Sequence, residues 1–146
     1  MGYYVQTTAS TIEIPYEAFA PICKHLLDEG IMTNYKDMSG GDSKGEKWYS
    51  WVTMSELENS LKANNLIEVF TIFGYQVGTD CNEKTPAITD LSYDQKTGNE
   101  IVLMRMIAPF MENDSYIDWK GEDGVLYRWD FYDQELIERE GVITWV

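Results

Sequence analysis

Apolar residues change their period several times along this chain, and each change marks an element. Tyr3 to Ile14 alternates apolar with polar positions and is rich in Thr, Ile and Tyr, which predicts one or two extended segments. From Pro15 the period lengthens: Phe19, Ile22, Cys23, Leu26 and Leu27 recur at helical spacing until Gly30 closes the run. Pro21 lacks a backbone donor, so this helix either kinks there or begins there. Residues 30 to 46 hold Gly40, Gly41 and Gly45 among Asp, Ser and Lys and read as a loop. Lys47 to Thr53 reads as a strand. Ser55 and Glu58 have the spacing of a capping box ahead of a short helix carrying Leu57 and Leu61. Leu66 to Phe73 is apolar almost throughout and predicts a buried strand ended by Gly74.

Residues 78 to 86 are polar and predict a loop, Ala87 to Asp94 a strand, and Lys96-Thr97-Gly98 a turn. Glu100 to Met111 fits either period, but its length and the shared face of Leu103, Met106, Ile107 and Phe110 favour a helix with Pro109 near its end. Ser115 to Lys120, Val125 to Tyr132 and Leu136 to Val146 read as three strands. Gly121-Glu122-Asp123-Gly124 joins the first two, its Asp-Gly step suiting a tight hairpin, and the short turn Asp133-Gln134-Glu135 joins the last two. No repeat period divides the chain, so residues 1 to 146 are expected to form a single domain. The expected class is α+β: two or three helices packed on an antiparallel sheet that ends in a three-stranded meander.

Composition alters this picture in one respect, its charge. Eleven Lys and Arg stand against 25 Asp and Glu among 146 residues, a net charge of −14. That is about one net charge per 550 Å² of expected surface, well beyond what solubility asks of a small domain. Aromatics at 14% and hydrophobics at 44% exclude a disordered acidic tail. Such an acidic surface argues against direct contact with nucleic acid, which needs a basic footprint, and against anionic membranes. No apolar run is long enough to span a bilayer, and Met1 to Gln6 lacks the features of a signal peptide, so a cytoplasmic location is expected.

Most chemistry-bearing motifs fail on their spacing. Cys23 and Cys81 share no metal-ligand or disulfide pattern, and Cys23 on the apolar helical stripe reads as a packed thiol. His25 is the only histidine and has no nucleophile placed to face it, so neither a catalytic residue nor a metal ligand is assigned. The loop Gly40 to Glu46 lacks the order of a phosphate-binding loop, so no cofactor is expected. Asp94 to Glu100 lacks the alternating ligands of a calcium loop and reads as a hairpin turn.

The C-terminal meander concentrates the charge. From Glu112 to Glu140 ten carboxylates face Lys120, Arg128 and Arg139, a net of 3 − 10 = −7. Alternation puts Val125, Tyr127, Trp129 and Phe131 on an apolar face and Arg128 and Asp130 on the other, with Asp118 sharing a face with Tyr116 and Lys120. Carboxylates on alternate positions would then form rows about 6.6–6.8 Å apart, close to twice the per-strand phosphate step of duplex DNA. The candidate partner-binding residues are Asp118, Glu122, Asp123, Asp130, Asp133, Glu135 and Glu138, with Tyr49 as an aromatic anchor.

Ser115-Tyr116-Ile117-Asp118, Gly121-Glu122-Asp123-Gly124-Val125-Leu126-Tyr127-Arg128-Trp129 and Val142-Ile143-Thr144-Trp145 together resemble the tail of small acidic proteins encoded in bacteriophage and prophage genomes. The Ile107-Ala108-Pro109-Phe110 step belongs to the same resemblance, which covers roughly residues 100 to 146; Asp114 departs from the glycine usual before the Ser-Tyr-Ile step. That group has no activity or catalytic residue to carry over. What the resemblance implies is a phage-like origin, and small acidic phage proteins include anti-CRISPR proteins and other nucleic-acid mimics. The expected function is a non-enzymatic inhibitor of a basic, nucleic-acid-handling host defence protein such as a CRISPR effector, acting through an acidic surface. The alternative is an acidic interaction or immunity-like module without mimicry.

Overall fold

The N-terminal strand β1 (Tyr4–Thr11) lies inside an antiparallel sheet, between chain segments more than eighty residues away from it. The computed structural model describes residues 3–31, 54–96 and 100–141. On one side β1 pairs with β5 (Ser115–Gly121), which continues through β6 (Leu126–Tyr132) to β7 (Glu135–Glu140). On its other side β1 pairs with the short β4 (Asp94–Lys96), giving the order β4-β1-β5-β6-β7. A second ladder joins β2 (Gln76–Thr79) to β3 (Ile88–Ser92), and an isolated bridge between Ile14 and Ile88 ties β3 to the chain just beyond β1. The Thr7 N–H donates to the Tyr93 carbonyl and the Tyr93 N–H donates to Thr7 Oγ1, which holds the link between β3 and β4 against β1.

Four α-helices among the described residues cover one face of this sheet: α1 (Phe19–Asp28), α2 (Met54–Lys62), α3 (Leu66–Ile72) and α4 (Glu100–Ile107). The protein is therefore α+β with a C-terminal three-stranded meander, as the pattern predicts. The core joins Ile22, Cys23 and Leu26 of α1 and Leu57 and Leu61 of α2 to Val69 and Phe70 of α3. Leu103 and Ile107 of α4 complete its helical side, against Ile117, Trp119, Trp129 and Phe131 of the sheet. A 3-10 turn at Tyr16–Ala18 precedes α1, which leaves Pro21 in the helix's first turn, where no intrahelical donor is lost and no kink is needed. A second 3-10 turn, Ala108–Phe110, places Pro109 just past α4.

Several expectations are corrected. Leu66 to Phe73 is not a strand but helix α3 (Leu66–Ile72), with Phe73 as its C-cap. Leu66, Val69, Phe70 and Phe73 are buried at helical spacing, while Glu68 and Thr71 face solvent. Asn65 caps its start, accepting a 3.1 Å bond from the Glu68 N–H. Ser55 does not precede a helix; α2 already includes Met54, and Glu58 pairs instead with Lys62 one turn on. Residues 76 to 79, partly assigned to a loop, form β2, and Asp94 to Lys96, assigned to a turn, form β4 through their pairing with Tyr4 to Gln6. The strand expected at residues 47 to 53, with Tyr49, lies outside the described residues, as does most of the loop at 30 to 46.

Both turns of the meander depart from expectation in ways that decide its register. The Gly121 N–H donates to the Val125 carbonyl at 2.8 Å and the Gly124 N–H to the Gly121 carbonyl at 2.9 Å, enclosing a three-residue loop, Glu122-Asp123-Gly124. Gly124 closes it at φ +89°, a conformation that favours glycine. A two-residue Asp-Gly hairpin would have shifted β6 by one position. At the other end Asp133 and Gln134, with φ of 52° and 66°, form a two-residue loop that places Tyr132 opposite Glu135.

Candidate interaction surface

Strand pairing places directly opposed residues on the same face, so the register sorts the candidates. Ile117, Trp119, Trp129 and Phe131 turn toward the helices, and the opposite face of the sheet is the exposed one. On that outer face β5 contributes Tyr116, Asp118 and Lys120, β6 Arg128, Asp130 and Tyr132, and β7 Glu135, Ile137 and Arg139. At the other edge Tyr4 and Gln6 of β1 meet Lys96 and Asp94 of β4.

Asp118 and Asp130 are not free members of an acidic row. Arg128 lies directly across from Asp118 and holds both its oxygens, with Nε to Oδ1 at 2.5 Å and Nη2 to Oδ2 at 3.0 Å. The same guanidinium lies over the Tyr116 ring, 4.0 Å from its centroid. The Asp118 bond holds the Arg128 pKa above its ordinary value, the cation being favoured by its partner. Arg139 reaches diagonally to Asp130, with Nε to Oδ2 at 2.5 Å. Arg128 and Arg139 stand opposite one another in the ladder, and each is drawn aside by its own carboxylate.

The remaining candidates sit at the two ends of the meander or on its other face. Glu122 and Asp123 occupy the β5–β6 loop, which the N-terminus grips. The Tyr3 hydroxyl donates to Asp123 Oδ1, the Tyr4 N–H to Glu122 Oε1 at 3.2 Å, and the Glu122 N–H to the Tyr4 carbonyl at 2.9 Å. The Tyr3 hydroxyl bond, helped by the Val125 N–H, lowers the Asp123 pKa, and Asp123 in turn raises that of Tyr3. A Cβ at Gly121 would collide with the Tyr3 phenol, which explains the glycine there. Asp133 and Glu135 lie at the opposite end, where the Asp133 N–H donates to Asn113 Oδ1 at 2.9 Å. Glu138 pairs with Trp129 and Glu140 with Tyr127, so both project on the helical side of the sheet. The expected carboxylate rows are thereby corrected: their central members are neutralised by arginine, and the rest are divided between two ends and two faces.

Counted by face, the charge is unevenly spread. The outer sheet face carries Asp94, Asp118, Asp130 and Glu135 against Lys96, Lys120, Arg128 and Arg139, which sums to 4 − 4 = 0. Residues outside the described ones also cancel, Lys36, Lys44 and Lys47 against Asp37, Asp42 and Glu46. The other described residues hold 25 − 4 − 3 = 18 carboxylates against 11 − 4 − 3 = 4 bases and carry the whole −14. The sequence reading overlooked Arg128 and Arg139 as organising residues. Turn lengths were the available signal: a three-residue loop after Gly121 sets Asp118 against Arg128, and a two-residue loop after Tyr132 sets Arg128 against Arg139.

The groups that reactivity would require lie elsewhere. Cys23 is fully buried and burial pushes its pKa up to about 11, as a packed thiol requires. The His25 ring is half-buried, edge-on to Phe110 with centroids 5.1 Å apart. Among the described residues no helix is long and apolar enough to cross a membrane. No family model matches the chain, and neither a curated protein nor a solved structure matches it significantly.

Proposed function

We propose that this protein acts by binding, as an acidic interaction module for a basic protein partner. The observation that carries the reading is the charge partition: eighteen carboxylates against four bases on the described residues away from the neutral sheet face. Such a surface accelerates encounter with a positively charged partner. The resemblance of residues 100 to 146 to phage-encoded proteins makes a nucleic-acid-handling host defence protein, such as a CRISPR effector, the first partner class to test. Glu122 and Asp123 in one loop, Asp133 in the other, and Glu138 on the edge strand are its charged contacts. Asp118 and Asp130 are instead paired with Arg128 and Arg139. Plain charge attraction is favoured over close imitation of phosphate spacing, because the two mid-strand carboxylates are neutralised.

The test is binding to a panel of purified defence nucleases, with and without their guide, across a salt series. A variant with Glu122→Gln, Asp123→Asn, Asp133→Asn and Glu138→Gln should lose at least about tenfold in affinity, mainly through slower association. Asp118→Asn with Asp130→Asn should leave affinity within about threefold. Competition by duplex DNA would restore the mimicry reading. No binding to any basic member of the panel, or binding indifferent to salt and to the first variant, would overturn the proposal.

A further inference from the structure

The edge strand β7 carries a pattern that a solvated edge does not need. Among the described residues it pairs only with β6, and the sheet ends there. The Gly141 N–H donates to the Leu126 carbonyl at 2.8 Å, which makes Leu126 and Gly141 a hydrogen-bonded pair of the antiparallel ladder. Counting in twos, Glu135, Ile137 and Arg139 turn their backbone groups toward β6. Leu136, Glu138 and Glu140 therefore turn theirs toward the open edge, and no hydrogen bond outside the β6–β7 ladder involves them among the described residues.

The side chains on the outer face of this strand read Glu135, Ile137, Arg139: an acid, an aliphatic and a base, equally spaced. That order is self-complementary under a two-fold axis. Blunting an edge by repulsion would place like charges at both ends; here the ends are opposite in sign.

We infer that β7 is the docking edge for a second copy of this chain, paired antiparallel about Ile137. In that register Glu135 faces Arg139 of the other copy on both sides of the axis, and Ile137 meets its own equivalent. These three pairs are non-hydrogen-bonded positions, where side chains approach most closely. Leu136 and Glu138 of one copy face Glu138 and Leu136 of the other as hydrogen-bonded pairs and use the backbone groups left at the edge. A shift of one pair, centring on Glu138, would oppose two glutamates, and the pairing centred on Ile137 avoids this. Arg139 keeps Nε on Asp130 and offers its remaining donors across the axis, its side chain being 58% exposed. On the outer face of β7 the charges of Glu135 and Arg139 cancel, while Glu138 and Glu140 project on the helical side, so physiological salt is needed to screen their repulsion between copies. The contact is isologous and closed, and it continues the sheet across the pair. It shares Glu138 with the surface proposed for a basic partner, but the loop carboxylates Glu122, Asp123 and Asp133 lie outside it, and it does not rest on the binding role proposed for them.

Sedimentation velocity of the full chain from micromolar to millimolar concentration, at physiological salt, tests this. The mass should rise from 16.9 kDa toward twice that value as concentration increases. Glu135→Arg and Arg139→Glu should each weaken association at least about tenfold, and the two together should restore it. Glu138→Pro removes an edge donor without touching the β6 ladder and should abolish the dimer while circular dichroism stays native. A chain that remains monomeric throughout overturns the inference. So does a dimer that none of these variants weakens.

Discussion

Cys23 and Cys81 show how far one side chain's surroundings decide its chemistry. Cys81 is exposed on the loop before β3, while Cys23 sits at zero exposure inside α1 among Ile22 and Leu26. Burial disfavours the thiolate, so the Cys23 pKa rises to about 11. Because the folded value lies above the unfolded one, the native state holds this proton more tightly. Its contribution to stability is therefore intact below about pH 9 and lost as pH climbs toward 11, by roughly 2–3 kcal/mol. Urea unfolding between pH 8 and 11 should show a flatter alkaline decline for Cys23→Ala than for the parent; parallel declines would contradict this account. The thiol's inertness was legible from the helical stripe. The Asp118–Arg128 pair was not, because it depends on a register that a one-residue change in loop length would destroy.

At the scale of elements, legibility followed alternation. β5 and β6 were readable because Ile117, Trp119, Trp129 and Phe131 alternate with polar residues, and only one face of that sheet is buried. α3 was misread because its buried residues stand at helical spacing inside a run whose remaining positions include Ile67 and Ile72, so a strand fits the composition equally well. What decides it is Asn65, whose side chain accepts from the Glu68 N–H and starts the helix before the apolar run begins. Replacing Asn65 by Ala should cost about 1 kcal/mol in chemical denaturation, and Asn65→Asp should cost much less. Equal losses from both would show that the cap is not what holds this end. β2 and β4 were invisible for another reason. β2 takes its strand character from β3 across the loop of residues 80 to 87 and β4 takes its own from the distant β1, not from a pattern of their own.

For the whole molecule the governing fact is the surplus of carboxylates outside the neutral face, with few cations near them. Such a shell repels itself, and the folded state bears more of that repulsion than an expanded chain does. Raising sodium chloride from low to physiological ionic strength should therefore stabilise the protein by on the order of 1 kcal/mol, or roughly 3 °C in Tm. A flat or falling Tm would mean that ion pairs such as Arg128–Asp118 and Arg139–Asp130 outweigh the repulsion. The fold class was accessible from the sequence because it follows from periodicity. The distribution of charge over faces was not, since it required the order in which the strands lie.

That distribution also makes the molecule an electric dipole. Among the described residues the centre of negative charge is displaced from the exposed sheet toward the helices and the strand ends. A positively charged body nearby exerts a torque on it as well as a pull, and this alignment begins beyond contact distance. The protein therefore approaches such a body already turned, its charged side leading and the open sheet trailing behind.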